Sequence, residues 1–240
     1  MNPVLRADVR HRLGNAKAVT LHTIFLVMIG LLTFLFLPPE LGRLDELRQQ
    51  GLVVACLVVS AVLTIYFTSA CAAGEIGIEG EKSVWDLAAS PFGAGTIAWG
   101  KVLSGASFAM LQWLLAGPFV VVVAAIRGES LAAVWRAALV GIPAATALGA
   151  AGTLYSVVFE SDFSRSFAHW TTLLGVIIGT NALPAPWRLL SPVRALTMAV
   201  RDGAGPAVWL VVGVYLLAAA LCAGLVRRRV ERIREEAKTS

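Results

Sequence analysis

Apolar residues fall in six long, nearly unbroken blocks, at positions 19–37, 52–73, 102–126, 137–159, 167–183 and 207–226. Each is close to the ~20 residues that carry a helix across a ~30 Å hydrocarbon core. The blocks are continuous rather than alternating with period two, which argues against membrane β-strands. No segment between them reaches 30 residues, so there is no room for a separate soluble domain. The pattern predicts an all-α polytopic membrane protein, a single domain over 1–240 with six transmembrane helices. The first block follows a basic leader and runs into Leu37-Pro38-Pro39-Glu40, with no small-residue cleavage site, so it is expected to be a span rather than a signal peptide.

The polar segments add two smaller elements. Leu5, Val9, Leu13 and Ala16 recur at helical spacing beside Arg6, Arg10 and Lys17, predicting a basic amphipathic helix within 1–18 that rests on a membrane surface. Between the second and third blocks, 74–101, Ser83-Val84-Trp85-Asp86 reads as a capping box that opens a short helix, and Ser90-Pro91 closes it. The 227–240 tail reads as a solvated, charged helix end.

Composition agrees with the pattern: 58% hydrophobic and only 15% charged residues, with a mean hydropathy of +0.76. Soluble domains carry about 25% charged residues. The net charge of +5 is an orientation signal. With the N-terminus inside, 13 Lys and Arg fall in cytoplasmic segments and 7 in outer ones, so both termini are expected to be cytoplasmic. Nucleic-acid binding is not expected, because no folded domain exists to present a basic face. Cys56, Cys71 and Cys222 all lie in apolar blocks and read as small core residues.

The chemistry that the spans lack is informative. No Lys, Arg, Asp or Glu lies near the middle of a block, whereas ion-coupled pumps and transporters typically need one. His22 and His169 sit near block ends without a second ligand at metal spacing. No serine, paired-aspartate or His-Glu-x-x-His constellation for intramembrane hydrolysis occurs. Gly95-Thr96-Ile97-Ala98-Trp99-Gly100-Lys101 begins like a phosphate loop, but Val102 stands where a Mg²⁺-binding hydroxyl is required, and the segment opens a span instead of following a strand. This chain is therefore expected to bind no cofactor or metal and to be no enzyme by itself. Among the mild polar residues inside the blocks, Thr64, Thr68, Thr171 and Asn181 are candidates to line a path, and interhelical hydrogen bonding is their other reading.

The run Gly74-Glu75-Ile76…Glu79-Gly80-Glu81-Lys82-Ser83-Val84-Trp85-Asp86-Leu87-Ala88-Ala89-Ser90-Pro91…Ile97…Gly100-Lys101 resembles the loop of ABC-2 type permeases, the membrane subunits of bacterial ATP-binding-cassette exporters. The layout of six spans and an amphipathic N-terminal helix is similar too, although the specific motif covers only about 28 residues. Trp85 and Ala88 depart from the family's more usual small or aliphatic residue and Leu. The resemblance implies the type V permease fold and the cell membrane of a bacterium. It implies a second permease copy or paralogue, and separate ATPase subunits that hold ATP and Mg²⁺. It also makes the 74–101 loop a coupling helix, with Glu79, Glu81, Lys82, Trp85, Asp86 and Leu87 as candidates for docking the ATPase. The turn Glu160, Asp162, Arg165 would make a second cytoplasmic contact. Residues 184–196, with their Leu-Ser-Pro element, resemble the family's re-entrant or interfacial helices before the last span. The alternative reading is a membrane scaffold or sensor subunit that recruits a partner through the same loop and transports nothing.

Overall fold

The computed structural model describes residues 2–36, 52–74, 84–127, 130–185 and 187–239. Its helices are α1 (Pro3–Gly14), α2 (Ala16–Phe36), α3 (Leu52–Ala73), α4 (Val84–Ala88), α5 (Ala94–Arg127), α6 (Leu131–Val158), α7 (Asp162–Ile177), α8 (Pro192–Arg201) and α9 (Pro206–Thr239). Among the described residues no strand occurs. Among the described residues five helices, α2, α3, α5, α6 and α9, are long and apolar enough to cross a membrane.

The helices differ in their bounds from the apolar blocks, with that of the first block starting at Ala16, that of the fourth at Leu131 and that of the sixth continuing to Thr239, and two differences matter most. The helix of the third block starts at Ala94 rather than 102 and runs 34 residues, about 51 Å at 1.5 Å per residue. The polar look of Gly95–Lys101 hides helix, because Lys101 and Gly100 face another helix rather than water. The fifth block, 167–183, forms α7, which has only 16 residues, about 24 Å. Its last carbonyls are taken by side chains, Thr180 Oγ1 donating to Val176 O and Asn181 Nδ2 to Ile177 O. A 3₁₀ turn, Gly179–Ala182, follows. The 1–18 segment is also two elements: Asn15 is extended between α1 and α2, and its Oδ1 accepts the Lys17 amide at 3.0 Å, the pattern of an N-cap.

The principal core lies where α3, α5, α6, α8 and α9 meet. α6 is its centre, with Ala133, Ala137, Val140, Ala144, Ala145 and Ala150 all buried. The α3–α6 pairing is the most extensive one. It is close because α6 offers glycine at the crossing. A Cβ on Gly152 would stand 2.6 Å from the Ser69 carbonyl oxygen and 3.0 Å from the Ala73 amide nitrogen. Such small-residue contacts let helix backbones approach where lipid supplies no hydrophobic force between helices.

A second apolar cluster closes one end of the molecule. It joins Val4 of α1, Leu87 and Ala88 of α4, Ala94, Ile97 and Ala98 of α5, Val157 of α6, and Val226 and Val230 of α9. The segments near the two chain termini therefore share one end, called here the near end. At the far end α8 packs against α6 and α3, burying Ala195, Leu196 and Ala199 while Arg194 and Arg201 are exposed. The Tyr215 hydroxyl donates to Leu190 O, and Asn181 Nδ2 reaches Ser191 Oγ, tying the approach to α8 down.

Candidate functional site

The near end gathers the most chemistry, and α4 is its smallest part. Five residues make one turn, too short to be stable alone because helix nucleation is unfavourable. Tertiary contacts hold it. Leu87 and Ala88 are 5% and 6% exposed and pack in the apolar cluster, while Asp86 is exposed. Ser90 doubles back on the last turn, its amide and hydroxyl both donating to Leu87 O. The carbonyls beyond are collected by one side chain from the other end of the sequence. Arg234 of α9 donates from Nε to Ala88 O at 2.9 Å, from Nη2 to Ser90 O at 3.0 Å, and from Nη2 to Phe92 O. A guanidinium suits this place, having five donors in a fixed fork and a positive charge for the negative end of a helix.

α1 docks beside it on the first turns of α5. Asn2 does double duty, its Oδ1 accepting the Val4 amide at 2.9 Å while its Nδ2 donates to Thr96 O at 2.8 Å. Val4, Asp8 and Arg12, four residues apart, form the buried face. Asp8 pairs with the Lys101 ammonium at 2.9 Å, both side chains under 10% exposed. The Arg12 guanidinium lies 5.0 Å from the centre of the Phe108 ring. Gly100 makes the approach possible, since a Cβ there would meet Val4 Cβ at 2.7 Å. The apolar stripe of the sequence, with Leu5 and Val9 half-buried and Leu13 exposed, is thus a flank of the helix, and its buried face is largely charged. His22 extends the polar set: its Nε2 donates to Arg12 O at 3.1 Å and its Nδ1 accepts from Gln112 Nε2 at 3.2 Å. That pairing makes the neutral, Nε2-protonated tautomer the consistent one.

The docking candidates separate. Glu79, Glu81 and Lys82 lie outside the described residues, as does Ser83 of the capping box. Trp85 and Asp86 are in α4, and Asp86 is turned outward. Leu87 is turned inward and packs in the apolar cluster with Val226 and Val230 of α9. The turn Glu160, Asp162, Arg165 sits at the same end. Glu160 and Asp162 are exposed, and Arg165 Nη2 meets Asp162 Oδ1 at 3.2 Å. Ser161 caps α7 by accepting the Ser164 amide. Arg165 also reaches the end of α3, where an open cleft of about 470 Å³ is lined by Tyr66, Gly74, Arg165 and Trp170.

The four path candidates do not share a surface. Thr64 and Thr68 are fully buried on α3, Thr64 donating to Ser60 O. The Thr68 methyl group lies where α3 meets Gly105 and Gly149. Thr171 is on the exposed side of α7, and Asn181 caps that helix at its far end. The false phosphate loop is helical throughout, with Lys101 on Asp8. Among the described residues no group of three His, Cys, Asp or Glu could hold a metal ion.

Three features escaped the sequence reading. Arg234 belongs to the tail whose charge predicts a solvated helix end, although Val226, Val230 and Arg234 recur every four residues on one face. Asp8 is the only acidic residue before Glu40, which singles it out without naming its partner. His169 is 2% exposed and donates from Nε2 to Ser69 Oγ at 2.8 Å, linking α7 to α3.

Fold and near-end site together define an all-helical, multi-pass membrane protein that carries a short helix mounted on one end of its bundle. No model of a known protein family matches the chain, and no curated protein matches it.

Proposed function

We propose that the chain is the permease subunit of a bacterial ABC exporter of the ABC-2 type, moving a substrate across the cell membrane with ATP hydrolysed by separate subunits. The observation that carries this reading is the mounting of α4. The described middle of the family-like segment, Val84–Ala88, is a short helix fixed to two long ones, α5 and α9, with Asp86 exposed. A linker needs no such fixture, whereas a helix that receives motion from a partner must be tied to what it moves. In this reading the near end is cytoplasmic, both termini included, and Trp85, Asp86 and the 79–82 segment meet the ATPase. Glu160 and Asp162 make the second contact.

We count 167–183 as a sixth span. That block begins within α7 and ends just past the 3₁₀ turn Gly179–Ala182, and its length is at the short end of the roughly 17–25 residues that cross a bilayer. α8 is then the interfacial element on the outer side. A second permease copy or paralogue completes the path, so that Thr171 on the outer side of α7 is a better candidate to line it than buried Thr64 or Thr68. Closure of the ATPase dimer would push α4, and the rigid spans would carry that displacement to the far end.

Affinity purification of the tagged chain from mild detergent, wild type against Trp85→Ala/Asp86→Lys, tests this. The expected result is an ATPase that accompanies the wild type and is at least tenfold depleted from the variant. Absence of an ATPase from both overturns the permease reading and leaves the non-transporting scaffold or sensor in its place.

A further inference from the structure

The geometry points to Arg234 as the positioning residue of α4, the side chain through which the charged tail of α9 holds the short helix and shares its movement. Within the described part of the loop, Ser90 ties back to Leu87 O. Beyond Ala88 the chain offers carbonyl groups in sequence, Ala88, Ser90 and Phe92, and the last carbonyls of a helix have no partner within it. One guanidinium, 144 residues further along, satisfies all three. Apolar contact from Val226 and Val230 to Leu87 and Ala88 sets the distance. Arg234 sets the direction, because its donors are held in one rigid plane, whereas the three donors of an ammonium rotate about a point charge.

The consequence for mechanism rests on the permease reading of the preceding section. α9 is one continuous helix of 34 residues, and its apolar part, starting at Pro206, is a membrane-crossing segment. A partner that displaces α4 therefore loads α9 directly through Arg234. The tail is a lever on the last span, which gives the 227–240 segment a task that a solvated end would not have.

The test reads position on the full chain in lipid nanodiscs, with the three cysteines replaced by alanine and nitroxide labels at Ala89→Cys and Arg232→Cys, both exposed sites. Electron–electron double resonance gives the spread of distances between α4 and α9. With Arg234 present the spread is expected to be narrow. Arg234→Gln is expected to broaden it at least twofold, with Arg234→Lys between the two. Arg227→Gln, on the exposed side chain that pairs with Glu231, should leave it as in wild type. An unchanged spread in Arg234→Gln overturns the proposal. Should that variant fail to reach the membrane, an unchanged spread in Arg234→Lys does the same. Purification of the same variants separates the two readings. A broadened spread with no ATPase on any variant sinks the permease and keeps the positioning role. An ATPase on the wild type with an unchanged spread in Arg234→Gln does the reverse.

Discussion

The α3–α6 crossing and the near end are both built from helices in contact, but polar ties carry a larger share of the near end, beside its apolar cluster and the Gly100–Val4 contact. At the crossing, backbone meets backbone: Gly152 lies against the Ser69 carbonyl, and Gly149 lies against the Thr68 side chain. At the near end, side chains reach across gaps, Asp8 to Lys101, Asn2 to Thr96, Arg234 to three carbonyls. Hydrocarbon gives apolar helices no reason to prefer each other over lipid, so shape decides there. A fit of that kind has one solution and makes a fixed pivot. Separate polar ties can be broken and remade singly, and the end they hold is where a helix can be repositioned while the pivot stays whole.

The largest effect is expected where shape alone decides. Gly152→Val sets a branched side chain against backbone atoms that cannot rotate away, and overpacking of this severity costs about 3 kcal/mol or more. Gly213→Ala, on α9 with nothing within 4 Å of its Cβ position, should stay within about 0.5 kcal/mol of wild type or gain slightly. Thermal unfolding in detergent followed by size-exclusion chromatography compares the two. Equal melting of both variants would mean that the crossing is looser than a fixed pivot requires.

Next comes the buried ion pair. Asp8→Ala leaves the Lys101 ammonium in a site where it is 8% exposed. Removing one member of such a pair costs about 3–5 kcal/mol, and apolar replacement of both is often near neutral. α1 can escape part of that cost by lifting from α5, so the loss should be local. Trypsin cleavage at Arg6 and Arg10 is expected to accelerate at least tenfold in Asp8→Ala, with the melting of the bundle little changed. The double variant Asp8→Leu/Lys101→Met should recover most of the protection. Cleavage at the wild-type rate in Asp8→Ala would show that Val4, Asn2 on Thr96 O and Arg12 over Phe108 hold α1 without the ion pair.

The same division explains what the sequence could reveal. A helix facing lipid must be apolar along its length, so the long blocks are legible without any partner being known. Residues 94–101 were hidden because Gly95, Gly100 and Lys101 look like loop residues when their neighbour is unseen; only α1 packed on Gly100 and Asp8 placed on Lys101 make them good helix. α1 shows the limit of periodicity. Leu5, Val9 and Leu13 mark an apolar stripe correctly, yet the buried face is the next one round, because a charged residue with a buried partner can be core. Arg234 and Ala88 are 146 residues apart, and no local pattern encodes that distance.

The smallest expected effect lies where the two means of holding meet. Ser69 is on the fixed crossing, its carbonyl against Gly152, while its hydroxyl is a polar tie. That hydroxyl donates to Ile65 O at 2.7 Å and accepts from His169 Nε2 at 2.8 Å, so it joins α7 to α3 as well as to its own helix. Ser69→Ala removes the tie and leaves the backbone fit intact. Polar links between membrane helices average about 0.6 kcal/mol and reach about 1.7 kcal/mol, so the variant should melt only slightly below wild type. Its effect should also add to that of His169→Ala by less than the sum, because each change removes the same bond. A loss as large as that of Gly152→Val would mean that the hydroxyl, and not the fit of the backbones, fixes α3 against its neighbours. The pivot would then be a polar tie like those at the near end, and the contrast between the two regions would fall.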